Sequence, residues 1–183
     1  MIYSIDLNGR VGSVVKMIED NIGIDTGVGC FSNGVVVLFR VGSTKFYVDQ
    51  NGKLYYDAYG EPRYDYNGRL ESFGYDERVY YYGGKIESIG GTYIYYESNG
   101  SLKSIGGTYF YFNTYGSENG KLKNFGDTYY YYHTYGSENG LTKTVGSYNF
   151  YYDYNRRITS INSKYFYYDY NGRITQIGNT RIY

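Results

Sequence analysis

Short runs of alternating apolar and polar residues, each closed by a glycine-bearing pair, fill most of this chain. From Thr92 the order is Thr-Tyr-Ile-Tyr-Tyr-Glu-Ser, then Asn99-Gly100, then Ser-Leu-Lys-Ser-Ile, then Gly106-Gly107. Alternation with period two marks a strand with one buried face. Asn-Gly between two such runs predicts a hairpin, because both central residues of a type I′ turn need positive φ. Gly followed by a second residue suits a type II′ turn with glycine first.

The phrase repeats. Its turns fall at Asn33, Asn51, Asn67, Gly83, Asn99, Asn119, Asn139, Asn155 and Asn171, at spacings of 18, 16, 16, 16, 20, 20, 16 and 16. Seven residues, Asn-Gly, five residues and Gly-X use up all 16 positions. No residues remain for a helix or a crossover. The expected fold is all-β, an antiparallel meander of 16-residue hairpin repeats. The 183 residues are read as a single β-repeat domain, with an irregular part at 1–34 and hairpin repeats over 35–183. Asn8-Gly9 marks a first hairpin. Val14 to Asp20 fits about two helical turns or a longer strand, and Gly23 to Gly29 fits a loop. Val35 to Phe39 is the most apolar run and the expected best-buried strand.

Two-residue loops would set Ser98 against Ser101, Tyr96 against Lys103 and Ile94 against Ile105. Across the next turn Ile105 meets Thr108 and Lys103 meets Phe110. The residue equivalent to Ile94 is Phe110, so each unit slips by two residues. That stagger is the one found in barrels tilted near ~36°. A strongly coiled sheet or a large barrel is expected, and a flat ribbon is not. One face then carries Ile94, Ile105, Phe110, Phe125, Val145, Phe150, Ile161, Phe166 and Ile177, with Tyr96, Tyr152 and Tyr168; it is the expected core side. The other carries Tyr95, Ser104, Tyr111, Asn124, Tyr131, Thr144, Tyr151, Ser160, Tyr167 and Gln176, interrupted by Leu102, Leu122, Ile158 and Ile174, and should be wet or ligand-facing.

Composition sharpens this picture. There are 31 Tyr and 26 Gly, with one Pro and no Trp. Tyrosine favours half-buried pleated surfaces and glycine supplies turns. Lys and Arg balance Asp and Glu at 18 each, so no global field draws the chain to nucleic acid or an anionic membrane. No apolar span is long enough for a transmembrane helix. Met1 to Gly12 reads as a hairpin, unlike a charged region followed by an apolar one. The expectation is a cytoplasmic protein, or an extracellular one whose leader has been removed.

Candidate chemistry is sparse. His133 is the sole histidine and its repeat counterpart is Asn113, so it is read as a solvated loop residue. Cys30 stands alone and is read as a small buried hydrophobe. Asp65, Asp153 and Asp169 share one position before the turn, where a carboxylate serves the turn or a basic neighbour. Asp20 and Asp25 lack the spacing of a calcium loop, and Gly23, Gly27 and Gly29 do not lead from a strand into a helix. No enzyme activity, metal or cofactor is expected. Binding is carried instead by two tyrosine features. Tyr95, Tyr111, Tyr131, Tyr151 and Tyr167 form a ladder on one face, with rungs about 9.6 Å apart at roughly 4.8 Å per strand. Near-duplicate insertions at Asn113 to Gly120 and His133 to Gly140 should project as a pair of fingers, bearing Tyr115, Tyr135, Glu118 and Glu138.

The phrases Tyr64-Asp65-Tyr66-Asn67-Gly68-Arg69-Leu70, Tyr152-Asp153-Tyr154-Asn155-Arg156-Arg157-Ile158 and Tyr168-Asp169-Tyr170-Asn171-Gly172-Arg173-Ile174 resemble YD repeats of the RHS type. The resemblance covers residues 64–178. It implies a β-sheet coiled into a shell and a non-enzymatic role, and some members are linked to carbohydrate binding. The strict 16-residue spacing departs from that family, and 183 residues are too few to enclose a sizeable protein. The leading expectation is a non-catalytic β-repeat scaffold that binds a protein partner or assembles with its own copies. The alternative is a carbohydrate-binding module that uses the Tyr ladder on a glycan. Nucleic acid is not expected, since the ladder face has no basic stripe.

Overall fold

The structure is a computed structural model and describes residues 2–5, 11–14, 28–31 and 34–181. It is all-β, in two antiparallel sheets. The first holds β1 (Ile2–Ile5), β2 (Val11–Val14), β3 (Val28–Phe31), β4 (Gly34–Val41), β5 (Thr44–Asp49) and β6 (Leu54–Asp57), in the order β2-β1-β6-β5-β4-β3. The second has 15 strands in strict chain order, from β7 (Pro62–Tyr64) to β21 (Thr180–Arg181). Its strands β8 to β13 are Leu70–Phe73, Glu77–Tyr82, Lys85–Ile89, Thr92–Tyr96, Leu102–Ile105 and Thr108–Phe112. Strands β14 to β20 are Leu122–Phe125, Thr128–Tyr132, Thr142–Val145, Tyr148–Tyr152, Ile158–Ile161, Lys164–Tyr168 and Ile174–Ile177. β7 and β21 do not pair with each other, so the ladder is open among the described residues.

The meander expected from residue 35 is interrupted once. β1 lies beside β6, with Tyr3 opposite Tyr56 and Ile5 opposite Leu54, and the sheets break between Asp57 and Pro62. The first hairpin pairs Tyr3 with Val14, although its Asn8-Gly9 turn lies outside the described residues. Asp20, Asp25 and the Gly23 to Gly27 run lie outside them as well, as do the surroundings of the Cys30 side chain.

The two-residue slip is present. Ile94 faces Ile105, and Ile105 faces Thr108. Each outgoing strand is consequently split. Thr108 and Tyr109 pair back to β12, while Phe110, Tyr111 and Phe112 pair forward to β14.

Gly83-Gly84 keeps the expected two-residue turn, with both φ positive and Tyr82 opposite Lys85, but the turns at Asn51, Asn67, Asn99, Asn155 and Asn171 differ from type I′. Gly100 N–H donates to Glu97 O at 2.9 Å, and Glu97 N–H donates to Ser101 O at 2.9 Å. The loop therefore has three residues, and only its last, Gly100 (φ 88°), is left-handed. This is a type I turn with a glycine bulge. The same turn forms with Glu97 or with aspartate at this position, and where aspartate stands its carboxylate braces the loop. Asp65 Oδ1 accepts the N–H groups of Asn67 and Arg69, both at 2.9 Å. Asp153 and Asp169 likewise accept from Arg157 and Arg173. The longer loop sets Tyr96 against Leu102 where Lys103 was expected, and a bulge in the return strand, with Lys103 as its extra residue, brings Ser104 back opposite Tyr95. In the second set of turns, Gly106 and Gly107 both have positive φ, whereas at Gly126, Gly146 and Gly178 only the first residue does.

The bulge puts Leu102, Leu122 and Ile158 into the core beside Ile94, Ile105, Phe110, Phe125, Val145, Phe150, Ile161, Phe166 and Ile177, all buried. Leu102 and its equivalents thus leave the outer face on which alternation alone would place them. The first sheet lies over this core. Phe39 stacks on Phe46 with centroids 5.3 Å apart, and it meets Phe110 edge-on at 5.2 Å and Phe125 at 5.5 Å. β5, flanked by β4 and β6, is buried more deeply than β4: Phe46, Tyr47 and Val48 are sealed, whereas Leu38 is half-buried.

Candidate functional site

The bulge also builds the outer face. Lys103 is the extra residue and points to solvent. Its neighbour Ser104 then stands on the outer side, paired with Tyr95 on one flank and Tyr109 on the other. The same triplet recurs as Tyr80–Ser88–Tyr93, Tyr111–Asn124–Tyr129 and Tyr151–Ser160–Tyr165. The central residue is small and polar, and Ser88, Ser104, Asn124 and Ser160 are buried beneath the flanking rings. Two further strands vary the theme, as Tyr131–Thr144–Asn149 and Tyr167–Gln176–Arg181. Four return strands are thus floors of troughs with tyrosine on both sides, two have tyrosine on one side, and on β8 Ser72 lies between Arg63 and Arg78.

The ladder residues Tyr95, Tyr111, Tyr131, Tyr151 and Tyr167 are 51–60% exposed. A second row, Tyr93, Tyr109, Tyr129 and Tyr165, stands two residues before the ladder on the same strands and the same face and is about equally exposed; it was not among the binding residues expected from the sequence. Tyr93 and Tyr95 lie near-parallel, with centroids 6.3 Å apart. Floor side chains also hold the neighbouring turns: Asn124 Nδ2 donates to Gly126 O at 3.0 Å, and Gln176 Nε2 to Gly178 O at 2.8 Å. This face was expected to be wet or ligand-facing, and most of its small polar residues are not wet. Ser104, Asn124 and Ser160, each between two tyrosines, are buried, whereas Thr144 and Gln176, with tyrosine on one side, are half-buried.

The two insertions are more constrained than projecting fingers. Tyr115 and Tyr135 do reach solvent, at 82% and 87% exposure. Glu118 and Glu138 close short 3-10 turns at Gly116–Glu118 and Gly136–Glu138, and both are half-buried. Glu138 Oε2 lies 3.3 Å from His133 Nδ1, so this carboxylate turns inward. Lys121 Nζ donates to Gly140 O at 2.6 Å, and Arg156 donates to Ser137 O and Asn139 O. His133 is not the solvated residue expected from the sequence: its Nε2 is buried without a hydrogen bond and its ring stands edge-on to Tyr152.

A third tyrosine position faces inward. Tyr81, Tyr96, Tyr132, Tyr152 and Tyr168 donate their hydroxyls to the carbonyls of Leu70, Ile86, Leu122, Thr142 and Ile158 at 2.5–2.7 Å. Arg69, Lys85, Lys121 and Arg157 lie over four of these rings. Burial pushes the Tyr81 phenol up to about 12 and raises Tyr96 and Tyr132 as well, so these groups remain donors at neutral pH.

Among the described residues no cluster of three or more His, Cys, Asp or Glu could hold a metal ion. No helix among them is long and apolar enough to cross a membrane. No protein-family model matches the chain, and no curated protein matches it. The likeness to YD repeats rests on the three motifs themselves.

Proposed function

We propose that this chain is a non-catalytic β-repeat scaffold whose outer tyrosine face binds a protein surface, either a partner or a second copy of itself. The observation that carries this reading is the repeated trough, with half-exposed rings on both sides of a buried polar floor. Tyrosine gives large, stiff contact area with a hydrogen-bonding tip, the combination enriched in binding surfaces. Regular repetition offers several equivalent contacts, so weak single contacts add up to avidity. The two-residue slip per unit would coil the array with the core inward and the rings outward, in keeping with the YD-repeat resemblance.

Replacing Tyr111, Tyr131 and Tyr151 by Thr tests it, because Thr keeps strand preference and removes the rings. Self-association measured by sedimentation, or retention of a copurifying protein, should weaken about tenfold or more, a loss of roughly 1.4 kcal/mol, with the melting temperature little changed. Wild-type association in the folded variant refutes the reading.

A second reading has its own support. Polar floors between aromatic walls also suit an extended glycan laid across the ladder. Retention in a polysaccharide gel, lost in the same variant, would select it.

A further inference from the structure

A cavity of about 530 Å³ opens on the Asn-Gly edge, where the two sheets meet. Asn51 comes from the turn after β5, Asn99 and Ser101 from the turn after β11, and Phe112, Asn113 and Asn119 from the end of β13 and the first insertion. These segments are tied together. Leu122 N–H donates to Gln50 O at 2.7 Å. Gly52 lies so close to Phe112 that an added Cβ would come within 2.6 Å of its ring. The volume falls inside the rough 300–1,000 Å³ range of small-ligand sites.

The pocket sits where the repeat is broken. Elsewhere the ring at this position is a tyrosine whose hydroxyl serves a carbonyl one hairpin back, and in four units a Lys or Arg covers its face. Here the ring is Phe112, and Ser101 stands in the place of the cation. Phe112 supplies no hydroxyl to Leu102, which lines the pocket, and Ser101 places no ammonium over the ring. The break leaves the Phe112 ring without the hydroxyl bridge and the cation that dress its counterparts.

The remaining lining is neutral and hydrogen-bonding. None of the lining side chains carries a charge. Four asparagines present both donors and acceptors. Asn99 Oδ1 already accepts from Ser101 N–H and Oγ–H, which leaves its amino group to point elsewhere. An ionic ligand would lose its hydration here without meeting a counter-charge. A ligand with many hydroxyls and one apolar C–H face matches every group present. We propose that this pocket binds a neutral sugar, one or two pyranose rings of an oligosaccharide, lying on Phe112 and hydrogen-bonded by the asparagines. The site uses none of the outer-face tyrosines and stands independently of the function proposed for them.

The test is an NMR titration of the 15N-labelled chain with maltotriose, cellotriose, mannotriose and triacetylchitotriose. At least one should shift the side-chain amides of Asn51, Asn113 and Asn119 saturably. The double variant Ser101→Lys/Phe112→Tyr writes the repeat's own cation–tyrosine pair into this unit. It should stay folded and lose those shifts. Should it misfold, Asn113→Ala/Asn119→Ala serves instead and should weaken binding about tenfold or more, roughly 1.4 kcal/mol. The proposal is overturned if no saccharide shifts these amides, if a folded variant binds like wild type, or if the shifts fall on Tyr111 and Tyr131 instead. Loss of association in the Tyr→Thr variant leaves this titration unchanged, so the two readings fail separately.

Discussion

The Tyr132 hydroxyl donates to the Leu122 carbonyl at 2.6 Å, across a seam that the backbone ladder leaves open. β14 and β15 pair only through Asn124–Tyr129 and Phe125–Thr128. Beyond those pairs the strands part, because Tyr130 to Tyr132 have turned to β16. The phenol bridges the gap, and the same bond recurs at Tyr81, Tyr96, Tyr152 and Tyr168. Tyr132→Phe keeps the ring and strips the bridge, leaving a buried acceptor unserved. A loss of about 1–3 kcal/mol is expected, read as a lower denaturation midpoint at constant m-value. A midpoint equal to wild type would mean that water replaces the bridge at no cost.

Gly106 and Gly107 share one turn but should respond very differently to alanine. Both have positive φ, so each substitution carries a backbone penalty of roughly 1–2 kcal/mol. At Gly106 the new Cβ would also come within 2.3 Å of Val41 Cγ1, in the first sheet, whereas at Gly107 nothing lies within 4 Å. Overpacking adds about 1–3 kcal/mol at Gly106 alone. Equal destabilisation of the two variants in urea would show that the sheets do not press together there.

Removal of one whole unit, 148–163, should leave a folded protein. The deletion takes out β17 and β18 and returns Thr144 to an equivalent partner, Tyr165 in place of Asn149. Stability in such arrays is nearly a sum over units and interfaces. Removal of 108–127 should unfold the chain instead, since it discards Phe110 and Phe125, which pack on Phe39, and Leu122, which bonds Gln50. Circular dichroism melts of the two deletions decide the matter, and similar melts would contradict it.

Asp153 and Asp49 occupy the same turn position with opposite consequences. Burial disfavours the charge of Asp153, but the Arg157 N–H, its guanidinium and its charge outweigh that and hold the carboxyl below the usual carboxylate range. At Asp49 burial wins over the Lys53 and Asn51 N–H bonds and raises it. A lowered value stabilises the fold above the ordinary carboxylate pKa, near ~3.9, and that contribution is lost as pH falls through the folded-state value. A raised value has the reverse sign, so ionised Asp49 subtracts stability at pH 7. Asp153→Asn should therefore lower the melting temperature at pH 7, with the gap closing in acid. Asp49→Asn should match or exceed wild type at pH 7. Shifts of the same sign in both would contradict the assignment.

The 16-residue period, the hairpin positions and the Ile94–Ile105–Thr108 register were all legible in the sequence, because turn chemistry and alternation repeat without interruption. The bulge was not. Asn-Gly suits both a two-residue and a three-residue loop; the carboxylates of Asp65 and its equivalents brace the longer one, but Glu97 closes the same turn, so aspartate is not what decides it. Alternation without the bulge misplaces Leu102, Leu122 and Ile158 on the outer face. The pairing of β1 with β6 was illegible for a different reason, since no local signal couples Tyr3 to Tyr56. The inward turn of Glu138 depends on His133, five residues away in a loop with no periodicity to read.

The outer face can be interrogated directly by placing a photo-crosslinking benzoylphenylalanine at Tyr131, on that face, and separately at Lys103, an exposed bulge residue outside the troughs. Illumination in the cells that make the protein should give a discrete adduct, either a dimer of the chain or a heavier heterologous species, from Tyr131 and little from Lys103. Absence of any adduct at Tyr131, or equal smears from both positions, would contradict a binding role for the tyrosine face.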